Sequence, residues 1–475
     1  MSEIEELYNT VIKNDYSYGT GACAVLNKKI TMELNEYGEY KPNIQHALMD
    51  DADTPLQLVC PNSNTSPNED EISRELYGRI PGIKYDNRIG YYKELYAGHV
   101  LEGDYRKNAS SGGFGTWIFK ELFDRDLIDG VIHVKENNDK EDPILFKYDI
   151  SRTIEEIKAG AKTRYYPVEF SQVINKVKEI PGRYAIIGIP SFIMSIRLLA
   201  QQDSIVNDRI KYTVGLICGH QKSAKFADCL AWQVGIEPGN LKSINFRKKL
   251  PNVPANRYGV EMTGIVNGKE VTITKSMSEL LGHNWGQGFF KSNASDFTDD
   301  VMNETADVTL GDAWLPEYSF DSNGNNVILV RNETIANILE EGITTKKVKL
   351  DTISVETIVK SQASHFQHTQ KELGYRLYKK DKLGKWRPKK RVPASKDIPF
   401  FRRKIQDLRI EISKQSHISF LKAVELRDLN YFINDMEKYT KRYDRIYYLS
   451  IAFKKGPKEI LMKVFNKISR SLKGR

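Results

Sequence analysis

Between Tyr91 and about Val330 the chain alternates short β-branched segments with longer amphipathic ones, and this alternation limits the fold more than any other feature. LYAGHVLE, DGVIHVK, YAIIGIP, KYTVGLIC and VILVR are compact strand candidates. Between them lie the helical runs FGTWIFKELFDRD, FSQVINKVKEI and SFIMSIRLLAQQD. Repeated strand–helix alternation predicts an α/β core with largely parallel strands. Sheets of that kind place ligand groups beyond the C-terminal ends of their strands. The segments that close each strand are therefore where chemistry is expected.

The flanks read differently. Residues 1–75 combine a helix-like start, Gly/Asn turns and a short strand pair in KKITMEL and GEYKP. Pro61, Pro67 and the cluster Asn62–Asp70 read as a loop leading into a helix at Glu71–Tyr77. Past Thr344, residues 350–376 look helical, and KKDKLGKWRPKKRVPASKDIPFF is a basic connector. Long amphipathic helices are expected from Phe401 onward. After a break at Gly456-Pro457, a short basic helix would put Ile460, Leu461, Val464, Phe465, Ile468 and Leu472 on one face. At 475 residues, two or three domains are expected. We place their boundaries at 1–80, 81–345 and 346–475, and find no internal repeat.

Composition excludes several classes. Apolar content of 40%, with 25 Tyr and 19 Phe, is enough to build a core. No run of about 18 apolar residues exists, so no membrane span is expected. The N-terminus has no apolar signal core, and a cytoplasmic location is expected. Cys23, Cys60, Cys218 and Cys229 form no C-x2-C pair and suggest no disulfide framework. Charge is unevenly spread. Residues 371–475 carry 30 Lys+Arg against 11 Asp+Glu, whereas the remainder carries 41 against 51. An acidic body with a basic tail of +19 is either a solvated surface or a device for meeting anionic surfaces. The expected partner is the inner membrane face or an acidic protein; nucleic acid is not expected.

Four segments end strands or open helices with suitable chemistry. Arg106-Lys107 precedes Ser110-Ser111-Gly112-Gly113, which reads either as a phosphate-binding turn at a helix N-terminus or as a plain helix start. Gly188-Ile189-Pro190-Ser191 and Cys218-Gly219-His220 each close a strand; either is a ligand loop or a simple turn. Gly311-Asp312 ends the strand-like run Glu304–Trp314, where Asp could accept from a ribose or ring N–H.

Together these segments resemble the coenzyme F420 hydrogenase/dehydrogenase beta-subunit family. The likeness is carried by GTGACAVLNKKITMELNEYGEYKP, VCPNSNTSPNEDEI, YRKNASSGGFGTWIFKELFDRDLIDGVIHV, RYAIIGIPSFIMSIR, GLICGHQKSAKF and DDVMNETADVTLGDAWLPEY, in family order over roughly residues 15–330. Even the connector KDKLGKWRPKKRV resembles the tail of bacterial members. The resemblance implies a mixed, largely parallel α/β flavin domain, a ferredoxin-like N-terminal piece and a helical basic tail. It implies a FAD-dependent oxidoreductase passing hydride or electrons from a small soluble donor, coenzyme F420 or NAD(P)H, to a substrate. Ser110, Ser111, Gly112 and Gly113 would lie against the flavin nucleotide, with Gly188, Pro190, Ser191, Cys218, Gly219, Gly311 and Asp312 lining the same crevice. Arg106, Lys162 and Arg164 would assist binding, and Lys107 and His220 are the catalytic candidates. Cluster-bearing relatives have Cys where this chain has Ser17, Thr20, Ser191, Ser295 and Thr298; Asn27 matches a fourth Cys in fuller loops. Only Cys23 and Cys60 remain as ligand-like thiols, so an iron–sulfur cluster is not expected. The alternative implied is a non-catalytic binding or scaffold protein beside enzymes of bacterial surface-polysaccharide biosynthesis.

Overall fold

A computed structural model describes residues 2–49, 54–139 and 141–455; the Gly456-Pro457 break and the helix read beyond it lie outside the described residues. One mixed sheet organises the chain. Its strands in chain order are β1 (Glu94–Val100), β2 (Gly130–Glu136), β3 (Phe146–Ser151), β4 (Tyr184–Gly188), β5 (Ile210–Leu216), β6 (Val308–Asp312), β7 (Asn326–Val330) and β8 (Val348–Thr352). Across the sheet they run β8-β1-β7-β6-β5-β4-β2-β3. The central neighbours β6, β5, β4 and β2 are mutually parallel. The outer pairings are antiparallel. The parallel reading therefore describes the centre of the sheet, and hairpin-type pairings extend it on both sides.

Helices cover both faces, as buried β-branched strands require. On one face α1 (Phe114–Asp124) and α4 (Glu333–Thr344) bring Trp117, Ile118, Leu122, Ile338 and Leu339 onto Val131, Ala185, Val214 and Val308. On the other, α2 (Ser171–Glu179) and α3 (Pro190–Gln202) bring Val173, Ile174, Ile193 and Ile196 onto Ile132 and Ile186. Val131 and Ile132 thus face opposite layers, as do Ala185 and Ile186, the period of two that a strand imposes.

The C-terminal region is built into this body. Its first element is β8, an edge strand inside the stretch read as helical from residue 350. Two long helices, α5 (Phe400–Leu426) and α6 (Leu429–Lys455), form a hairpin. Ile405, Leu408, Ile412, Phe420, Phe432 and Met436 pack from it onto Phe226, Phe246, Phe289 and Phe290. A separate three-stranded meander, Leu241–Lys248, Gly259–Val266 and Lys269–Ser276, stands beside the sheet. At the N-terminus the strand pair read from sequence forms a hairpin of Thr31–Leu34 with Tyr40–Asn43. Ile4, Leu7, Val11 and Leu56 there pack against Phe297, Leu373 and Leu377.

Candidate functional site

The C-terminal ends of the parallel strands open on a cleft of about 290 Å³. Two helices begin at it. Gly113 is the N-cap of α1, with a left-handed φ of 98°, and a Cβ there would sit 2.9 Å from Arg106 N. No side chain caps that turn or the first turn of α3, which starts at Pro190. The first N–H groups of a helix have no partner within it, so α1 presents bare donors where Gly115 and Thr116 line the cleft. A Cβ on Gly115 would meet only Ile187 and Leu310, at 3.7 and 3.8 Å. The walls are apolar: Phe119, Tyr148, Ile187, Phe192, Leu216 and Leu310.

Cations gather at one side. The loop after the short helix Ile154–Ala159 is held by Thr163 N donating to Ser110 Oγ at 2.9 Å. Its Lys162 has a φ of 121°, a conformation that non-glycine residues rarely adopt. Among the described residues no hydrogen bond or ion pair is formed by its ammonium. Burial lowers its pKa, and Arg164 and Lys248 lower it further. The Arg164 guanidinium donates to Glu136 at 3.3 Å and lies 4.7 Å from the Phe146 ring, but its Nε is buried without a partner. Lys162 and Arg164 also face a second, polar chamber of about 340 Å³, walled by Asn108, Ser243 and Asn245. Behind the serine–glycine turn, Lys249 donates to Ser111 O at 3.1 Å. Burial, with Lys162, Arg106 and Arg247 nearby, lowers its pKa to about 7.

The inner end holds His220, Lys222, Arg247 and Asp312. Burial, aided by Lys222, Lys291 and Arg409, holds the His220 imidazole well below its ordinary range, so the ring is neutral at pH 7. Its Nε2 has no hydrogen-bond partner. Lys222 is buried between the Trp285 and Phe226 rings, at 4.7 and 4.8 Å, and donates to Phe289 O. Arg247 pairs with Asp312 and lies 4.8 Å from the Tyr258 ring. Burial works against its charge, but Asp312 and Tyr165 more than offset that. Gln362 Nε2 donates to Asp312 O at 2.7 Å, so the C-terminal region floors the site.

Of the residues singled out from sequence, Ser110, Ser111, Gly113, Lys162, Arg164, Gly188, Cys218, His220, Gly311 and Asp312 line this one cleft. Others support it from behind. A Cβ on Gly112 would lie 2.7 Å from Gly98 O, and one on Gly219 would lie 2.7 Å from His365 Cδ2. Pro190 and Ser191 are buried in the first turn of α3. Arg106 turns away to pair with Asp321 and donate to Gly324 O. Lys107, on the short helix Tyr105–Asn108, is exposed and does not line the cleft. Sequence reading missed Lys222 and Arg247, because a cation in a strand or loop gives no sign that distant aromatic rings will enclose it.

A second constellation lies in the N-terminal piece. Ser17, Thr20, Cys23 and Cys60 line one cavity of about 30 Å³, room for roughly a single water. Burial and then Cys60 push the Cys23 thiol up to about 12, and burial raises Cys60 as well. Ser17 Oγ accepts from Gly19 N at 3.2 Å. In the second frame, Ser295 Oγ accepts from Gln221 N at 3.0 Å, and Thr298 Oγ1 is 2.9 Å from Tyr18 OH. Asp296 between them is paired with Lys291 and Arg376. Among the described residues no group of three or more His, Cys, Asp or Glu is placed to hold a metal ion.

Fold and cleft define an α/β protein with an apolar, cation-edged cleft at its strand ends. The chain belongs to the coenzyme F420 hydrogenase/dehydrogenase beta-subunit family. Residues 95–175 match the N-terminal profile of "Coenzyme F420 hydrogenase/dehydrogenase, beta subunit", and residues 182–356 match the profile of its C terminus, together just over half of the chain. An F420-dependent formate dehydrogenase subunit beta of Methanocaldococcus jannaschii is 32% identical over 113 residues, which are 24% of this chain and 29% of that relative. The chain therefore matches under a third of that protein's length. A chain of the F420-reducing [NiFe] hydrogenase complex from Methanosarcina barkeri superposes with a TM-score of 0.47 at 16% identity, covering 64% of this chain and 98% of that one.

Proposed function

We propose that the cleft binds flavin adenine dinucleotide and that the protein is a flavin-dependent oxidoreductase without an iron–sulfur relay. One observation carries the reading: apolar walls stand behind a bare helix N-terminus and an unpaired Lys162, the combination that a flat ring with a pyrophosphate requires. The α1 first turn, Ser110, Ser111 and Lys162 would hold phosphate. Phe119, Tyr148, Ile187 and Phe192 would enclose the ring and exclude water. Neutral His220 offers one donor or acceptor beside it, and Lys222 an amine held in place by two aromatic rings, its pKa pushed well below the ordinary lysine value by burial and then by Lys291 and Arg409. When bound, the flavin supplies two-electron redox chemistry that these side chains lack. The nest around Cys23 and Cys60 does not fit a cluster: two protonated thiols and two hydroxyls in about 30 Å³ cannot ligate four irons. Electrons would then come directly from a soluble donor, reduced coenzyme F420 or NAD(P)H, and the family's F420-dependent relative favours the former.

The test is a titration of the purified protein with FAD, followed by anaerobic addition of each donor. Uptake of FAD and bleaching of its visible band by one donor are expected. A protein that takes up no FAD removes the proposal. Flavin that binds but is reduced by neither donor leaves the non-catalytic reading, a binding or scaffold protein in surface-polysaccharide biosynthesis.

A further inference from the structure

The α5–α6 hairpin is finished differently at its two ends. At the loop end Phe420 and Phe432 are fully buried against Phe290. At the open end Phe400, Tyr448 and Phe453 are 56%, 70% and 72% exposed. Phe400 and Phe453 form one patch through Phe401, which lies 5.5 Å from the first and 4.9 Å from the second, ring to ring, and Tyr448 is exposed on the same helix as Phe453. Leu449 and Tyr447 extend it along α6, also exposed. Single exposed rings are ordinary, but a contiguous aromatic patch on a folded surface marks a contact.

Charge identifies what that contact is. Arg403 and Lys404 lie 5.9 and 5.7 Å from the Phe400 ring, and Arg445 stands one turn before Tyr448 on the exposed face. The patch crowns a segment, residues 371–455, that carries 24 Lys+Arg against 10 Asp+Glu. The 20 residues that follow Lys455 add six Lys+Arg against one acid, interspersed with Ile, Leu, Val and Phe. An acidic protein partner would satisfy the cations but leave the rings to find pockets. A bilayer with anionic headgroups satisfies both, with rings at the acyl boundary and cations among the phosphates. Among the described residues no helix is long and apolar enough to cross a membrane, so the contact would be peripheral.

We propose that the open end of this hairpin docks on an anionic membrane surface. The docking does not depend on flavin binding. The test is co-sedimentation of the full chain with vesicles of phosphatidylcholine alone or mixed with phosphatidylglycerol, at low and high salt. Binding to the mixed vesicles, weakened by salt and at least about tenfold above that to the neutral ones, is expected. The triple variant F400S/Y448S/F453S removes only exposed rings and should keep its circular dichroism while losing about tenfold or more in binding. Because Phe453 touches Phe401, R403Q/K404Q/R445Q serves as an independent variant, with about fivefold expected per charge. No sedimentation, equal binding to neutral vesicles, or full binding by both variants would overturn the proposal. So would release from the vesicles by a single-stranded oligonucleotide at low micromolar concentration, or a patch whose removal only dissolves a self-associated form.

Discussion

Two cavities of this protein differ about tenfold in size, about 290 Å³ at the strand ends and about 30 Å³ around Cys23 and Cys60. The smaller one is lined by neutral groups that satisfy themselves locally. Ser17 accepts from a backbone N–H two residues on, and the thiols stay protonated because burial penalises the charged form. Nothing in it resists closure. The larger cavity is edged by Lys162, whose ammonium has no partner among the described residues, by Arg164, whose Nε is buried without one, and by a bare helix N-terminus, groups whose burial is costly. The difference teaches that unmatched charge, more than volume, sets the two apart: neutral groups line the small nest, and the cleft keeps an ammonium without a partner among the described residues.

The largest effect should come from filling the cleft. Gly115→Trp places a ring where only Ile187 and Leu310 lie near, in a first turn that tolerates a side chain. Flavin affinity by fluorescence titration should fall by at least about a hundredfold with the melting temperature little changed, since buried rings contribute several kcal/mol. Next is the nest. Ser17→Cys with Thr20→Cys supplies four thiols around one cavity, and the double variant should take up about one zinc per chain by mass spectrometry, against none for the parent. Zinc absent from the variant would mean that the four side chains do not converge as described.

Smaller effects sharpen the electrostatic side. Lys162→Met should weaken flavin binding about tenfold and leave stability unchanged or slightly raised, because its charge is penalised by burial and has no partner among the described residues. The pH dependence of that affinity follows from Lys249, whose pKa is about 7. Below that pH it is charged and adds to the field on an anion; above, the charge is gone. Binding should therefore tighten a few-fold as pH falls through 7, and Lys249→Met should flatten the titration curve. The stability link has the opposite sense. Between the folded value and the ordinary 10.5 the unfolded chain binds the extra proton, so stability rises with pH across that window. Smallest is Thr298→Val, which removes the contact to Tyr18 OH at 2.9 Å and should cost about 1 kcal/mol in denaturant unfolding.

Much of this was legible in the residues. YAIIG and YTVGL read as strands because they are compact and β-branched, and SSGG and GIPS, read either as ligand turns or as plain turns, do stand where helices begin. The meander 241–276 was not read from sequence: KEVTITKS is largely exposed, and its period-two alternation is carried by few apolar residues. Lys107 was misleading in the other direction. It adjoins the serine–glycine turn in sequence, but the helical turn Tyr105–Asn108 leaves it in solvent. Lys222 and Arg247 reach the cleft only because Trp285, Tyr258 and Trp314, remote in sequence, wrap around them. Single-chain periodicity carries no record of such contacts.

The contrast between the two cavities is tested most directly by assaying flavin, iron and acid-labile sulfide on one anaerobically purified sample, after saturation with FAD and gel filtration. The account expects about one flavin per chain with iron and sulfide at background. Iron and sulfide in stoichiometric amounts, or a colourless protein after saturation, would contradict it.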